Sequence, residues 1–283
     1  MRVFWALFFI FWPIVAVAVC WVAPSPEFNW WFPGAPDGPI GRRIEDLFDL
    51  ILIITTVVFI GTQVGLGYVL LKGALKDPST KAWHSHGSHS LEVIWTIVPS
   101  GILLFIALYQ MDTWADFRIQ SHAPDQVQLQ PLAVLTARQF EWRVRYAAPG
   151  RLFKNKQELD EWVRSPEPGD LYGVNELHVP VAKPACVYLR SGDVQHSFFL
   201  PTLRIKQDAV PGLAIPVWFT VLEEGEKPFL CAELCGWGHY KMKARLIAEA
   251  DEEFQDFLKE LQVKQSYDGV TDLSSQSVVK TSE

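Results

Sequence analysis

The stretch Cys231-Ala-Glu-Leu-Cys235-Gly-Trp-Gly-His239-Tyr-Lys-Met242 gathers two thiols, an imidazole and a thioether within twelve residues. Thiolate and thioether are soft ligands suited to copper, zinc or iron–sulfur centres, while imidazole suits zinc, copper and iron, so the set as a whole fits copper best. Met242 argues against zinc, because structural zinc sites draw on Cys and His rather than thioether sulfur. A mononuclear electron-transfer copper uses one Cys, two His and a weak axial Met, whereas this loop offers both Cys231 and Cys235. Two thiolates can bridge two metals. Such a centre needs a second imidazole from outside the loop, and the strand-like run Asp193-Val-Gln-His196-Ser-Phe-Phe supplies one. His196 and His239 would cap one copper each, with Met242 and the backbone carbonyl of Glu233 as weak axial ligands. A Cys231–Cys235 disulfide and a zinc site are the plainer alternatives, and neither uses Met242.

These residues resemble subunit 2 of the haem–copper cytochrome c oxidases, whose copper loop reads C-x-E-x-C-x-x-x-H-x-x-M; every ligand position is matched here. The likeness extends to Arg204-Ile-Lys-Gln-Asp-Ala-Val-Pro-Gly212 and Glu92-Val-Ile-Trp-Thr-Ile-Val-Pro99, covering the chain from about residue 45 to 262. It implies a binuclear copper centre, CuA, held by His196, Cys231, Glu233, Cys235, His239 and Met242, with no open position for a substrate. A subunit of that kind relays electrons one at a time from a c-type cytochrome to haem in catalytic subunit 1, where oxygen is reduced to water. The resemblance also implies that the Glu233 side chain reaches a Mg²⁺ at the interface with that subunit, a hard cation that suits carboxylate oxygen. Glu92 is explained well enough as an acid at a helix N-terminus, but in the family an acid here lies at the mouth of a proton-uptake path. A quinol oxidase subunit 2 would share the scaffold and lack the copper ligands. A membrane-tethered copper carrier would need fewer and more exchangeable ones.

One family pattern is not kept. Relatives have G-x-Q-W-x-W, the first tryptophan exposed above the copper as the contact for cytochrome c, where this chain has Ala137-Arg-Gln-Phe140-Glu-Trp142. Phe140 and Trp142 are the candidates for electron input. Phe140 is expected at the docking surface for a dedicated c-type donor, for example one that is membrane-bound or held in a supercomplex, and Trp142 in the core.

At 283 residues, with 49% hydrophobic content and 12 Trp, the chain has the composition of a membrane-attached protein of one or two domains. From Pro124 onward 23 acidic and 18 basic residues leave −5 of the total −7, which suits a cationic partner and disfavours nucleic acid. Cys20 lies in an apolar run and Cys186 in mid-strand, so no disulfide framework is expected. Residues 1–23 read as a signal peptide or a membrane helix. Residues 24–46 read as a loop in which Trp30-Trp31-Phe32 suggests an interfacial anchor. Leu50 to Leu71 and Val93 to Met111 carry no charge, which predicts a transmembrane hairpin over 47–112 that docks the partner subunit, with Gly61, Gly65 and Gly67 either permitting close helix approach or marking simple helix irregularity. Lys72, Lys76 and Lys81 in the link, against Arg42 and Arg43 before it, favour a cytoplasmic link and an outer copper domain. This is the topology of a multi-pass protein of a bacterial inner membrane. His84, His86 and His89 in that link fit no metal template and read as a solvated loop.

Beyond Pro124, short β-branched and aromatic runs alternate with turn signals: 127–136, 140–146, 176–181, 186–190, 217–222 and 243–248. They predict an all-β sandwich over 124–263, which the resemblance makes a cupredoxin-like Greek key with the copper loop joining its last two strands. Residues 147–175 read as a charged insertion with a short helix at 157–164. Phe254, Phe257, Leu258 and Leu261 form one face of a helix over 251–261. The Ser-rich residues 264–283 are expected to be disordered.

Overall fold

A computed structural model describes residues 2–267 apart from 26, 29, 31–33, 78, 82–83 and 85. It divides into two compact units, residues 1–34 with 45–112, and residues 35–44 with 113–283. Trp30 is exposed, while Trp31 and Phe32 lie outside the described residues.

The first unit is built from α1 (Arg2–Val22), the part of α2 (Pro39–Ala74) from Glu45 onward, and α3 (His89–Tyr109). All three are long and apolar enough to cross a membrane. In such helices the hydroxyls of Thr55, Thr62, Thr96 and Ser100 donate to carbonyls three or four residues earlier, which satisfies them without water. Helix α2 starts at Pro39, inside the segment expected to be loop. Proline is preorganised for the first helical position, and the charged first turns hide the helix from an apolar scan. Of Gly61, Gly65 and Gly67, the last is closely approached within this chain. A Cβ there would lie 2.6 Å from Ile10 Cγ1 and 2.9 Å from the Ala6 carbonyl of α1, whereas Gly61 and Gly65 face open space.

In the second unit α4 (Met111–Arg118) and α5 (Asp125–Gln128) lead into ten strands. One sheet has the order β3-β2-β1-β5-β8, from β1 (Ala133–Arg138), β2 (Glu141–Tyr146), β3 (Leu171–Val174), β5 (Pro184–Ser191) and β8 (Ile215–Thr220). The other has the order β4-β10-β9-β6-β7, from β4 (Glu176–Pro180), β6 (His196–Leu200), β7 (Ile205–Ala209), β9 (Gly225–Cys231) and β10 (Lys243–Glu249). This is the cupredoxin-like sandwich, with β1 parallel to β5 and β4 parallel to β10. The first strand was expected from Val127. Residues 125–128 instead make a helical turn, and pairing begins at Ala133.

Period-2 alternation places Ala133, Leu135 and Ala137 of β1, with Ala185, Val187 and Leu189 of β5, in the main core. Their neighbours Val134, Cys186 and Tyr188 face a second core under the insertion, where α6 (Lys156–Arg164) contributes Leu159, Trp162 and Val163. These strands are buried on both faces, hence their unbroken apolar character. Cys186 is indeed a buried small residue, its thiol pushed up to about 12 by burial. Inside the second core Arg145 donates to Asp170 at 2.6 Å and to the Trp162 carbonyl at 2.6 Å, and Trp162 Nε1 donates to the same carboxylate.

Helix α7 (Asp251–Tyr267) packs Phe254, Phe257, Leu258 and Leu261 on the main core. It continues past the expected end of order at Val263. Gln265 is buried and exchanges two hydrogen bonds with the Tyr172 backbone, extending the helix by closing the edge of β3. Residues 268–283 lie outside the described residues. At the other end of the chain, the Asp37 carboxylate accepts from Leu222 N at 2.8 Å and pairs with Lys227 at 3.0 Å. Both side chains are largely shielded, so 35–44 is an integral strap of the β domain.

Candidate metal centre

The site lies at one end of the second sheet. His196 is the first residue of β6, Cys231 the last of β9, and the loop from Ala232 to Met242 closes onto β10. Antiparallel pairing of Phe198 with Cys231 puts the imidazole-bearing strand end beside the first thiol. The backbone N–H of Cys231 donates to the Met242 carbonyl at 3.2 Å, pinning the two ends of the loop together. A 3₁₀ turn at His239–Lys241 turns the second imidazole inward. His196, Cys235 and Met242 are buried, and Cys231, Glu233 and His239 are half-buried.

The donor atoms converge. Cys231 Sγ lies 4.0 Å from Cys235 Sγ, too far for a disulfide bond of about 2 Å, and both thiols are free. His196 Nδ1 is 3.9 Å from Cys231 Sγ, and His239 Nδ1 is 3.6 Å from Cys235 Sγ. Met242 Sδ stands 3.7 Å from Cys235 Sγ, and the Glu233 carbonyl oxygen 3.3 Å from Cys231 Sγ. Among the described residues, the group of His, Cys and acidic side chains placed to hold a metal ion is His196, Cys231 and Cys235. His84 and His86, with rings edge-on at 4.7 Å, are exposed in the link before α3.

Electrostatics fit a cation. Burial works against a charged Cys231, but the His196 imidazole and backbone groups of Ser197 and Glu233 bring its thiol down to about 6. Cys235 is pushed up to about 11 by burial and by the Cys231 charge beside it. Two neighbouring thiolates repel, and a soft cation between them removes that repulsion. His196 is further fixed by Asp193, whose Oδ1 lies 2.8 Å from Nε2. A carboxylate can only accept, so Nε2 is protonated on the Asp193 side, and Nδ1 is the ring nitrogen that faces the Cys231 thiol. Burial works against the Asp193 charge, yet Gln139 N–H, His196 and Val194 N–H hold its carboxyl below the usual range. This role of Asp193 shows in the sequence only as its i, i+3 spacing from His196.

The expected input residues divide. Trp142 is fully buried against Phe229, with ring centroids 4.6 Å apart, and near His196 at 6.3 Å. Phe140 is half-buried rather than outermost. Gln139 Nε2 donates to the Cys235 carbonyl at 2.6 Å, and the Phe140 ring fits so closely under the ligand loop that a Cβ on Gly238 would lie 2.5 Å from its Cδ2. The exposed aromatic is Trp237, at 80% relative exposure, edge-on to Phe140 with centroids 5.0 Å apart. Sequence reading missed it, although a large ring between two glycines inside a ligand loop was visible. Glu92 lies in the other unit, in the first turn of α3.

Comparison with known proteins agrees with this architecture. Residues 28–113 match the family described as "Cytochrome C oxidase subunit II, transmembrane domain", and residues 136–249 match "Cytochrome C oxidase subunit II, periplasmic domain". The chain is 27% identical over 242 residues to cytochrome c oxidase subunit 2 of Synechocystis, covering 77% of this chain and 72% of that one. It is 28% identical over 248 residues to alternative cytochrome c oxidase subunit 2 of Bradyrhizobium diazoefficiens, covering 82% and 83%. The solved periplasmic domain of subunit II of cytochrome oxidase from Bradyrhizobium japonicum is 25% identical, covering 48% of this chain and 96% of that one, with a TM-score of 0.39.

Proposed function

Because the chain belongs to the cytochrome c oxidase subunit II family, a copper-binding family with transmembrane and periplasmic domains, we propose that it is the electron-accepting subunit of a terminal oxidase in a bacterial inner membrane. The reading rests on one observation: two thiols 4.0 Å apart, each faced by its own imidazole, with Met242 sulfur and the Glu233 carbonyl beside them. When bound there, a pair of coppers supplies a one-electron store. Cys231, Cys235, His196 and His239, with the Met242 sulfur and the Glu233 carbonyl oxygen, are the groups that would hold it.

The residues around the donor set have separable tasks. Asp193 orients His196, and the pairing of β6 with β9 fixes the first imidazole against the first thiol. Burial of Cys235, Met242 and Trp142 keeps water from the inner side, so the surroundings reorganise little when charge changes. With all near positions taken by protein atoms, the site suits electron transfer rather than substrate binding. Electrons would arrive singly from a c-type cytochrome and leave to haem in catalytic subunit 1. Glu233 offers its carboxylate to an interfacial Mg²⁺ and Glu92 an acid at a proton path, both at contacts with that subunit.

Visible and EPR spectra of the copper-loaded full chain test the proposal. A delocalised mixed-valence pair, lost in Cys231→Ser and Cys235→Ser while far-UV circular dichroism is kept, is the expected result. A single isolated Cu(II), or two coppers retained in either variant, would refute it.

A further inference from the structure

We propose that Trp237 is the residue through which this chain meets its electron donor, a cationic c-type cytochrome, with Phe140 as the positioning residue behind it. The inference rests on the electron-accepting role proposed above. Trp237 sits midway between Cys235 and His239 in the ligand loop and is 80% exposed, while Phe140, the position at which a docking aromatic is expected, is half-buried. Leaving an indole in water forgoes a large apolar contribution that burial would give. The same loop also exposes Leu234 at 76% and Tyr240 at 67%.

Exposure here does not mean looseness. The Trp237 ring meets Phe140 edge-on at 5.0 Å, and Phe140 is held by the close approach of Gly238 and by the Gln139 bond to the Cys235 carbonyl. A rigid, amphipathic ring is the side chain that anchors small, transient protein contacts. Its face also attracts ammonium groups, and the net charge of −5 from Pro124 onward favours a lysine-rich partner. In the transfer, one electron leaves the donor's ferrous haem, which becomes ferric, and passes to the copper site. No bond or proton moves.

The test uses the assembled oxidase with Trp237→Ala and Trp237→Phe, and a purified soluble basic cytochrome c as probe. Trp237→Ala should slow electron uptake from the ferrous cytochrome and weaken binding of the ferric cytochrome by about tenfold each, and Trp237→Phe should recover most of both. Copper content, the EPR spectrum and reduction by a small organic reductant should stay as in the unsubstituted complex. Unchanged cytochrome binding in Trp237→Ala overturns the proposal. So does loss of copper, or loss of the catalytic subunit on purification, since Trp237 would then be structural or covered by that subunit. An unsubstituted complex without a two-copper signal removes the underlying reading instead.

Discussion

Asp193 Oδ1 stands 2.8 Å from His196 Nε2, on the far side of the imidazole from Cys231. The same carboxylate accepts from Gln139 N at 2.7 Å, so the β1–β2 turn beneath Trp237 and the first imidazole share one anchor. Asp193→Ala should weaken copper retention by about 10- to 100-fold, the usual effect of losing an outer partner of a ligating histidine. Chelator competition on the purified chain measures it, and a variant that holds copper as tightly as the parent would show the tautomer to be fixed by other means.

Trp142 is a different kind of aromatic from Trp237. It is fully buried between Phe229, Phe198 and the His196 ring. Trp142→Ala should cost about 3–5 kcal/mol of stability through the cavity it leaves, read as a lower urea midpoint of the metal-free chain. Little loss would mean that the surrounding rings collapse into the gap.

The Arg145–Asp170 pair, with side chains 9% and 1% exposed, holds the insertion onto β2. Asp170→Asn would leave a buried guanidinium facing a neutral group, at a cost of about 3–5 kcal/mol. Copper spectra should be unaltered, because the pair belongs to the second core. Denaturation monitored by circular dichroism, with EPR alongside, separates the two effects, and a changed EPR spectrum would show that the insertion does bear on the site.

Glu233 gives its backbone oxygen to the donor set, which leaves its side chain for other work. Glu233→Ala in the assembled complex should lower Mg²⁺ content, measured by elemental analysis, and leave the copper spectrum intact. Equal loss of both metals would contradict that division between main chain and side chain.

Much of this was legible in the chain itself, for reasons that differ by element. The ligand loop is local, so its chemistry can be read from spacing alone, and β2, β5 and β10 alternate clearly enough to be found. Strand β9 was missed because Gly225-Glu-Lys-Pro-Phe-Leu carries its apolar residues only at the end, and its place is decided by pairing with β10. The run Val-Gln-Leu-Gln at 127–130 imitates strand alternation, but its first two residues belong to the helical turn ahead of β1. Arg145 reads as a solvent-facing strand residue, and only Asp170, twenty-five positions later, explains its burial. Contacts of that range leave no trace in a local pattern. The exchange of exposure between Phe140 and Trp237 is likewise a matter of tertiary packing, since the loop's glycines let one ring slide beneath it.

The bond from Asp37 to Lys227 has a consequence for biogenesis. The strap residue is synthesised early, yet its partner emerges only after the hairpin helices and eight strands have been made. Until the segment from Thr202 to Lys227 has emerged, residues 35–44 lack most of what they fold against, and closing so long a loop is slow. The outer domain is therefore completed by its oldest segment and nearly its youngest together. An interrupted or truncated translation product should reach the membrane with its helices inserted and this junction still open to proteases.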